Sequence, residues 1–284
     1  MKKVNGKVIL ITGGASGLGR LMAFDFARRG ARVVVWDLHA RDLKELEKEA
    51  AGEGLSITGM VCDVTNKSAV YQRAKVLTKK IGPVDVLINN AGIVSGKTLL
   101  ETPDAKIEKT MQVNVLALFW TVKAFLPAML EQKSGHVVTI ASAAGLIGVQ
   151  GLADYCASKF AAVGFDEALR MELHRLKSRV KTTVICPFFI DTGMFAGVKT
   201  RFPLFLPILK PKTAVKRIIK AILKNRKRLI MPVFAYSVLL LRCFPLGVLD
   251  AVADFFGISH AMDDFKGREP APKIKNLEKL QGKK

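Results

Sequence analysis

Apolar positions along this chain fall into two alternating regimes. Short runs rich in β-branched residues occur at 7–12 (KVILIT), 32–36 (RVVVW), 57–61 (ITGMV), 84–89 (VDVLIN), 136–141 (HVVTIA), 181–186 (KTTVIC) and 228–232 (RLIMP). They are continuous, without strict alternation, as expected of strands covered on both faces. Between them apolar residues recur at helical spacing, for example over 18–29, 40–51, 103–132 and 153–177. Strand–helix alternation with connections of this length predicts right-handed βαβ units. The expected fold is therefore α/β: a single Rossmann-type doubly wound domain, with a seven-stranded parallel sheet and helices on both faces. No linker or repeat divides the chain, so 1–265 are expected to form the domain and 266–284 a basic, mobile tail.

Composition narrows the setting. Cys62, Cys156, Cys186 and Cys243 have no metal or CxxC spacing, and His39, His136, His174 and His260 are equally scattered. A structural zinc or a disulfide framework is not expected, and no metal site is assigned. Reduced cysteines suit the cytoplasm. The first apolar run is too short and too β-branched for a signal peptide, so neither a signal peptide nor an N-terminal anchor is expected. The net charge of +21 is uneven. Residues 192–249 carry twelve Lys/Arg and no Asp/Glu, and 266–284 carry seven against two. A basic surface of this kind attracts nucleic acid, anionic lipid or an acidic protein. Nothing in it resembles a nucleic-acid reading motif, so no nucleic-acid partner is expected.

Two stretches carry candidate chemistry. TGGASGLG, at 12–19, follows the first strand and opens a helix. Gly13, Gly17 and Gly19 permit a tight turn, close approach to a pyrophosphate and close helix packing, and the helix N-terminus offers N–H donors to phosphates. Asp37 ends the second strand, where a carboxylate can accept hydrogen bonds from both hydroxyls of an adenosine ribose and repel a 2′-phosphate. With Ser16 ahead of the second glycine, the loop has no cation to neutralise that phosphate, so NAD is expected over NADP. The alternative for Asp37 is a cap of the next helix. Further on, Tyr155 and Lys159 (YCASK) lie at i and i+4 on one helix face. Ser142 follows the fifth strand and Asn89–Asn90–Ala91–Gly92 the fourth, at the sheet edge where α/β folds place ligands.

In these motifs, their order and their spacing, the sequence resembles the short-chain dehydrogenase/reductase family, classical type, over about residues 7–264. The resemblance implies that 12–19, including Leu18, forms the cofactor loop, that Asp63 and Val64 (CDVT) meet adenine, and that Asn90, Ala91 and Gly92 stabilise the sheet beside the cofactor. It implies a catalytic set of Asn114, Ser142, Tyr155 and Lys159, and cofactor contacts at the nicotinamide end from Tyr155, Lys159, Pro187, Ile190 and Thr192, with Lys159 holding the nicotinamide ribose. It also implies a homodimer. In the chemistry that follows, Tyr155 exchanges the proton while hydride moves at carbon. The Lys159 ammonium and a positive nicotinamide ring should lower its pKa from the ordinary ~10. Ser142 would position the substrate oxygen. Asn114, in QVNVL, would interrupt its helix, hold a water and link Lys159 to solvent. Read alone, Ser142 is equally a helix cap and Asn114 a polar core residue.

The substrate end is apolar. The segment 193–211, expected to be a flap, carries Met194, Phe195, Phe202, Leu204, Phe205, Leu206, Ile208 and Leu209. Such a flap suits a large apolar substrate, or simply packs on the domain. Substrate contacts are expected from Ser142, Tyr155, Phe188, Met194 and Phe195. CPFFIDTGMF and GISHAMDDF resemble a lipid-handling branch of the family that includes retinol dehydrogenase 10, epidermal retinol dehydrogenase 2 and the 17-beta-hydroxysteroid dehydrogenases 11 and 13. That implies a retinoid, steroid or other lipid alcohol.

Downstream, 213–225 should be an amphipathic helix capped by Thr213, with Val215, Ile218, Ile219, Ile222 and Leu223 on one face and Lys216, Arg217, Lys220 and Lys224 on the other. The stretch 233–249 is expected to be an apolar helix. Arg242, Pro245 and Gly247 interrupt it, and it falls short of the ~20 residues a membrane span needs. It could dock on an anionic membrane or lipid-droplet surface, contact a second subunit, or fill the core. A cytoplasmic enzyme with peripheral membrane association fits these features together. Two other readings stay open: a 3-oxoacyl-carrier-protein-type reductase, which Asp37 disfavours, and a lipid-surface scaffold with little turnover.

Overall fold

The computed structural model describes residues 3–267, so most of the expected tail, 268–284, lies outside the described residues. Seven parallel strands form one sheet in the order β3-β2-β1-β4-β5-β6-β7. They are β1 (Val8–Thr12), β2 (Arg32–Asp37), β3 (Ile57–Val61), β4 (Val86–Asn89), β5 (His136–Ile140), β6 (Lys181–Pro187) and β7 (Arg228–Met231). The strand order turns back between β1 and β4, which makes that edge the place where a ligand crevice opens.

The continuous apolar strands are explained by helices on both faces. Ile9, Ile11, Val33 and Val35 point to one layer, where they meet α1 (Gly17–Arg28), α2 (Ala40–Gly52) and α7 (Pro211–Leu223) through Met22, Phe26, Leu46 and Ile218. Val8, Leu10, Val34 and Trp36 point to the other, where α3 (Lys67–Lys80), α5 (Ala117–Glu131) and α6 (Ala153–Arg175) supply Leu77, Phe125, Met129 and Leu169. α7 buries Val215, Ile218, Ile219 and Ile222 as its spacing predicts. Its cap is not Thr213, however. Pro211 opens the helix, because a fixed φ suits the first helical position, and extended Lys210 precedes it.

α4 (Asp104–Met111) runs into α5 through a π-helical turn, Gln112–Leu116. Together they make a 28-residue helix, Asp104–Glu131, long and apolar enough to cross a membrane by length and composition. Half of its most apolar stretch is buried inside the fold. The expected single apolar helix at 233–249 is broken into a 3-10 turn (Val233–Tyr236), α8 (Ser237–Leu241) and α9 (Leu246–Phe255). The break falls at Pro245, which lacks an N–H and holds the residue before it away from helical geometry.

One buried acid makes a prediction about stability. Asp166 on α6 is 1% exposed, meets the Thr182 hydroxyl at 3.4 Å, and its Oδ1 has no hydrogen-bond partner among the described residues. Burial pushes its pKa up from 3.8 to about 7, against Arg170, Thr182 and Arg228. The folded chain therefore keeps a proton that the unfolded chain releases near pH 4, and stability falls as pH rises from about 4 to about 7. Asp166→Asn, neutral throughout, should remove that share of the slope, roughly 4 kcal/mol between pH 4 and pH 8. Thermal midpoints with the same pH dependence in variant and wild type would refute this.

Candidate active site

The crevice at the β1/β4 edge is a cleft of about 310 Å³. Gly13, Ser16, Gly17, Leu18, Asp37, Asp63, Val64, Asn90, Ala91, Gly92, Pro187, Ile190 and Thr192 all line it. So do Ser142, Tyr155, Lys159, Phe188, Met194 and Phe195. Two expected residues do not line it. Gly19 sits in α1 beneath the loop, and Asn114 lies behind the wall, 2% exposed.

The cofactor end is built by cross-ties between β1 and β4. Asn90 Nδ2 donates to the carbonyls of Thr12 (3.0 Å) and Gly13 (2.9 Å). Thr12 Oγ1 accepts from the amides of Asn90 and Ala91, both at 3.1 Å. Gly13 has φ +61°, and a Cβ there would lie 2.8 Å from Ala91 Cα, so the two loops touch only because this residue lacks a side chain. The helix that opens into the cleft, α1, has no side-chain cap and no acidic residue in its first turn. Its positive end is thus left to an anionic group, which fits a pyrophosphate.

Asp37 Oδ2 accepts from the Ala15 amide at 3.0 Å, and Oδ1 from Leu38 (2.8 Å) and His39 (3.3 Å). It does not cap α2, whose N-cap is His39. The carboxylate instead braces the glycine loop while lining the cleft. Asp63 accepts from Thr65 through its amide (2.9 Å) and hydroxyl (2.7 Å). Burial pushes its pKa up, but these hydrogen bonds and the Lys109 charge outweigh it and hold the carboxyl below its ordinary value.

At the other end, Tyr155 and Lys159 share the cleft-facing side of α6, each 4% exposed, with the Lys159 ammonium 5.5 Å from the tyrosine ring centroid. Lys159 Nζ donates to the Ile140 carbonyl at 3.0 Å. Burial lowers its pKa to about 8. For Tyr155 the expected lowering rested on Lys159 together with a positive nicotinamide ring; in the chain by itself burial raises the phenol above its ordinary value, and a hydrogen bond with Ser142 only partly offsets this. The reason is desolvation, which disfavours the phenolate in a site this dry. Of the two parts foreseen for Ser142, the structure shows the cap. It caps the short turn Ala143–Gly145, accepting from the Ala144 amide at 3.1 Å, and stands beside Tyr155.

The interruption expected at QVNVL is the π-helical turn. Such turns displace one residue from the regular ladder and often mark functional sites. Asn114 Oδ1 accepts from the Ile93 amide (2.9 Å), and Nδ2 donates to the Ile93 carbonyl (3.0 Å) and Ser158 Oγ (2.9 Å). The Lys159 ammonium is engaged with Ile140 and not with the Asn114 side chain. Gly92 lies between the two: a Cβ there would sit 3.4 Å from Asn114 Oδ1 and 3.5 Å from Lys159 Nζ.

The substrate end is aromatic. Phe195 meets Tyr155 edge-on at 5.7 Å and Phe189 at 5.1 Å, Phe188 meets Phe189 at 4.6 Å, and Phe265 approaches Phe195 at 6.3 Å. A recess of about 30 Å³ beside Ser142 and Tyr155 is walled by Ile147, Val149, Leu152, Phe189 and Ile258. Sequence reasoning missed Phe189, Ile258 and Phe265, and also Ile93, Lys109 and Val113 in the main cleft. Phe189 adjoins a residue already singled out. Ile93 and Val113 likewise adjoin singled-out residues, Ile258 and Phe265 lie in GISHAMDDF, which was read only as a branch resemblance, and Lys109 bears no motif.

Comparison with known proteins gives this architecture a lineage. The "short chain dehydrogenase" family signature matches residues 7–201. Epidermal retinol dehydrogenase 2 from Homo sapiens is 49% identical over 267 residues, covering 93% of this chain and 86% of that protein. Retinol dehydrogenase 10 from Homo sapiens is 44% identical over 293 residues, covering 93% and 86%. Among solved structures, a short-chain dehydrogenase/reductase from Burkholderia phymatum in complex with NAD superposes with a TM-score of 0.77 at 26% identity, over 97% of this chain and 100% of that one. Signature, relatives and fold agree with the cleft described above, and the chain belongs to the short-chain dehydrogenase family, an oxidoreductase family.

Proposed function

We propose that the protein transfers hydride between NAD(H) and a lipophilic alcohol or its carbonyl, with Asn114, Ser142, Tyr155 and Lys159 as the catalytic set. The observation that carries this reading is the aromatic wall of Phe188, Phe189 and Phe195 standing against Tyr155, at the opposite end of the cleft from Asp37. NAD, when bound, supplies the hydride-exchanging carbon and a cationic ring. Asp37 is the group to hold an adenosine ribose and disfavour a 2′-phosphate, the uncapped end of α1 holds the pyrophosphate, and Pro187, Ile190 and Thr192 border the nicotinamide end. The retinol dehydrogenase names of the two relatives, and the bound NAD of the bacterial neighbour, support a retinoid-like alcohol and NAD.

The chain's own groups set the proton chemistry. Tyr155 exchanges the substrate hydroxyl proton, and Ser142 orients the same oxygen. Burial raises the tyrosine pKa, so on its own it is a better acid than base. Lys159, whose pKa of about 8 leaves it largely protonated at neutral pH, is the cation available to favour the phenolate.

The same reading includes docking on an anionic lipid surface. Leu204, Val233, Leu240, Leu246 and Phe255 are exposed apolar residues around the flap and the α8–α9 segment, at the substrate end. The first four lie in the stretch holding twelve cations and no acid between 192 and 249. Apolar insertion beside cations suits acidic headgroups. A homodimer is carried by the family resemblance.

One experiment tests the whole reading. Turnover is measured with retinol, a steroid, a long-chain alcohol and an acyl thioester, with NAD and NADP, after sedimentation with phosphatidylserine vesicles. We expect NAD-linked turnover of the lipid alcohols in the vesicle pellet, released by salt. Preference for NADPH and the thioester would replace the reading with a carrier-linked reductase. Full recovery in the supernatant would remove the docking component.

A further inference from the structure

We infer that Asp154 is a positioning residue that locks three segments of the active site into one register. The inference rests on the oxidoreductase reading above and adds a residue to it.

Asp154 lies in the first turn of α6, directly before Tyr155, and is 6% exposed. A carboxylate buried this deeply is costly unless hydrogen bonds replace its water. Those bonds are not local. The N-cap of α6 is Leu152, and no side chain caps that end. The Asp154 carboxylate reaches instead to two other segments: Oδ1 accepts from Ser95 Oγ at 2.5 Å, and Oδ2 from Thr110 Oγ1 at 2.8 Å. Hydrogen bonds from hydroxyls to an ionised carboxylate are short and strong.

Each of these segments carries a site residue close to the tie. Ser95 belongs to the loop after β4, three residues beyond Gly92 and two beyond Ile93, which line the cleft. Thr110 sits in the last turn of α4, four residues before Asn114 and just ahead of the π-helical turn. Asp154 itself adjoins Tyr155. A second tie runs alongside: Asn114 Nδ2 donates to Ser158 Oγ, and Ser158 Oγ donates to the Tyr155 carbonyl. The β4 loop, the π-helical turn and the start of α6 are therefore joined twice, once through Asn114, which bonds both Ile93 and Ser158, and once through Asp154. The Asp154 tie grips Ser95 and Thr110, on both neighbouring segments, through a single carboxylate. A displacement of ~1 Å at a reacting group can cost ~100-fold in rate. A clamp one residue from the proton-exchanging tyrosine is well placed to prevent it.

The test uses the full chain with Asp154→Ala, Asp154→Asn and Ser95→Ala. Asparagine keeps one acceptor and gains a donor, and both hydroxyls can turn to meet it. Asp154→Ala should lower kcat on the order of 30-fold or more with KM and NADH affinity nearly unchanged, and Asp154→Asn should restore most of that loss. Ser95→Ala, which leaves the carboxylate with Thr110, should give an intermediate kcat and keeps the test decisive if Asp154→Ala fails to fold. Hydrogen exchange read without substrate should speed up at residues 91–95 and 153–158 in Asp154→Ala or Ser95→Ala, and remain slow in the strands. Unchanged kcat in folded Ser95→Ala and Asp154→Ala, or a parallel loss of NADH affinity and kcat, would overturn the inference. If the wild-type chain turns over no alcohol, the oxidoreductase reading fails, and unchanged exchange at both segments would then separately overturn the clamp.

Discussion

Replacing Tyr155 with phenylalanine should reduce turnover by ~10²–10⁴-fold while NADH still binds, the range a positioned proton-transfer group contributes. The substitution removes one oxygen from a ring that is 4% exposed and packed edge-on against Phe195. The apolar contacts are untouched, so the fold and the cleft should persist. What is lost is the only phenol in the cleft lining, and with it the hydrogen bond shared with Ser142. NADH affinity, read by fluorescence titration, should stay within about twofold, because hydride and proton travel through different atoms and the ring alone preserves the pocket. Lys159→Met should behave differently. It removes a buried cation that lies 5.5 Å from the tyrosine ring and reaches the Ile140 carbonyl, so cofactor affinity and turnover should fall together. Turnover near the wild-type rate in Tyr155→Phe would remove the tyrosine from the mechanism.

Gly19→Ala should weaken cofactor binding ~10-fold or more although the added group is a single methyl. A Cβ at Gly19 would sit 2.4 Å from the Gly13 carbonyl oxygen, 2.6 Å from Asn90 Nδ2 and 2.9 Å from Gly14 Cα. Two of these three atoms are backbone of the cofactor loop, and the third is the side chain that ties that loop to β4. The methyl therefore strikes the hydrogen bond from Asn90 Nδ2 to Gly13 as well as the loop itself. Overpacking of this kind costs ~1–3 kcal/mol. If it moves the loop, NADH affinity should drop ~10-fold or more, since 1.4 kcal/mol is a tenfold change. Gly164→Ala is the matched control. Gly164 lies within α6 with nothing within 4 Å of a built Cβ, so alanine there should leave NADH affinity alone and raise stability by roughly 0.5–1 kcal/mol. Equal NADH affinity in Gly19→Ala and wild type would show that the loop tolerates the displacement.

The strands were legible because burial on both faces leaves an unbroken apolar signature: VILIT in β1 and VLIN in β4 are buried at every position. The cofactor and tyrosine motifs were legible because their residues are close in sequence and the elements that carry them are regular. The misreadings have a common cause: they turn on competition between local rules or on contacts between distant segments. At 233–249 the apolar density suggested one helix, but Pro245 decides where the last helix starts. At the amphipathic helix the threonine looked like a cap, but Pro211 takes the first helical position. Nor was the pKa of Tyr155 in the chain by itself legible: it depends on how dry its surroundings are, and no spacing encodes that. Phe265 reaches the site only because Gly96, far away in sequence, leaves its ring room: a Cβ on Gly96 would overlap it.

Phe195 has a consequence for how such a site could work through successive cycles. It belongs to the turns that follow β6, yet its ring packs at once on Tyr155, Phe189 and Phe265. The ring that shields the tyrosine from water is thus part of the segment that must yield to a bulky guest. For a large guest, admission and dryness would be mechanically opposed, because the ring packed on the tyrosine is the one that would have to move. The rhythm of that stack would then set the pace for large guests, while small ones could slip past it.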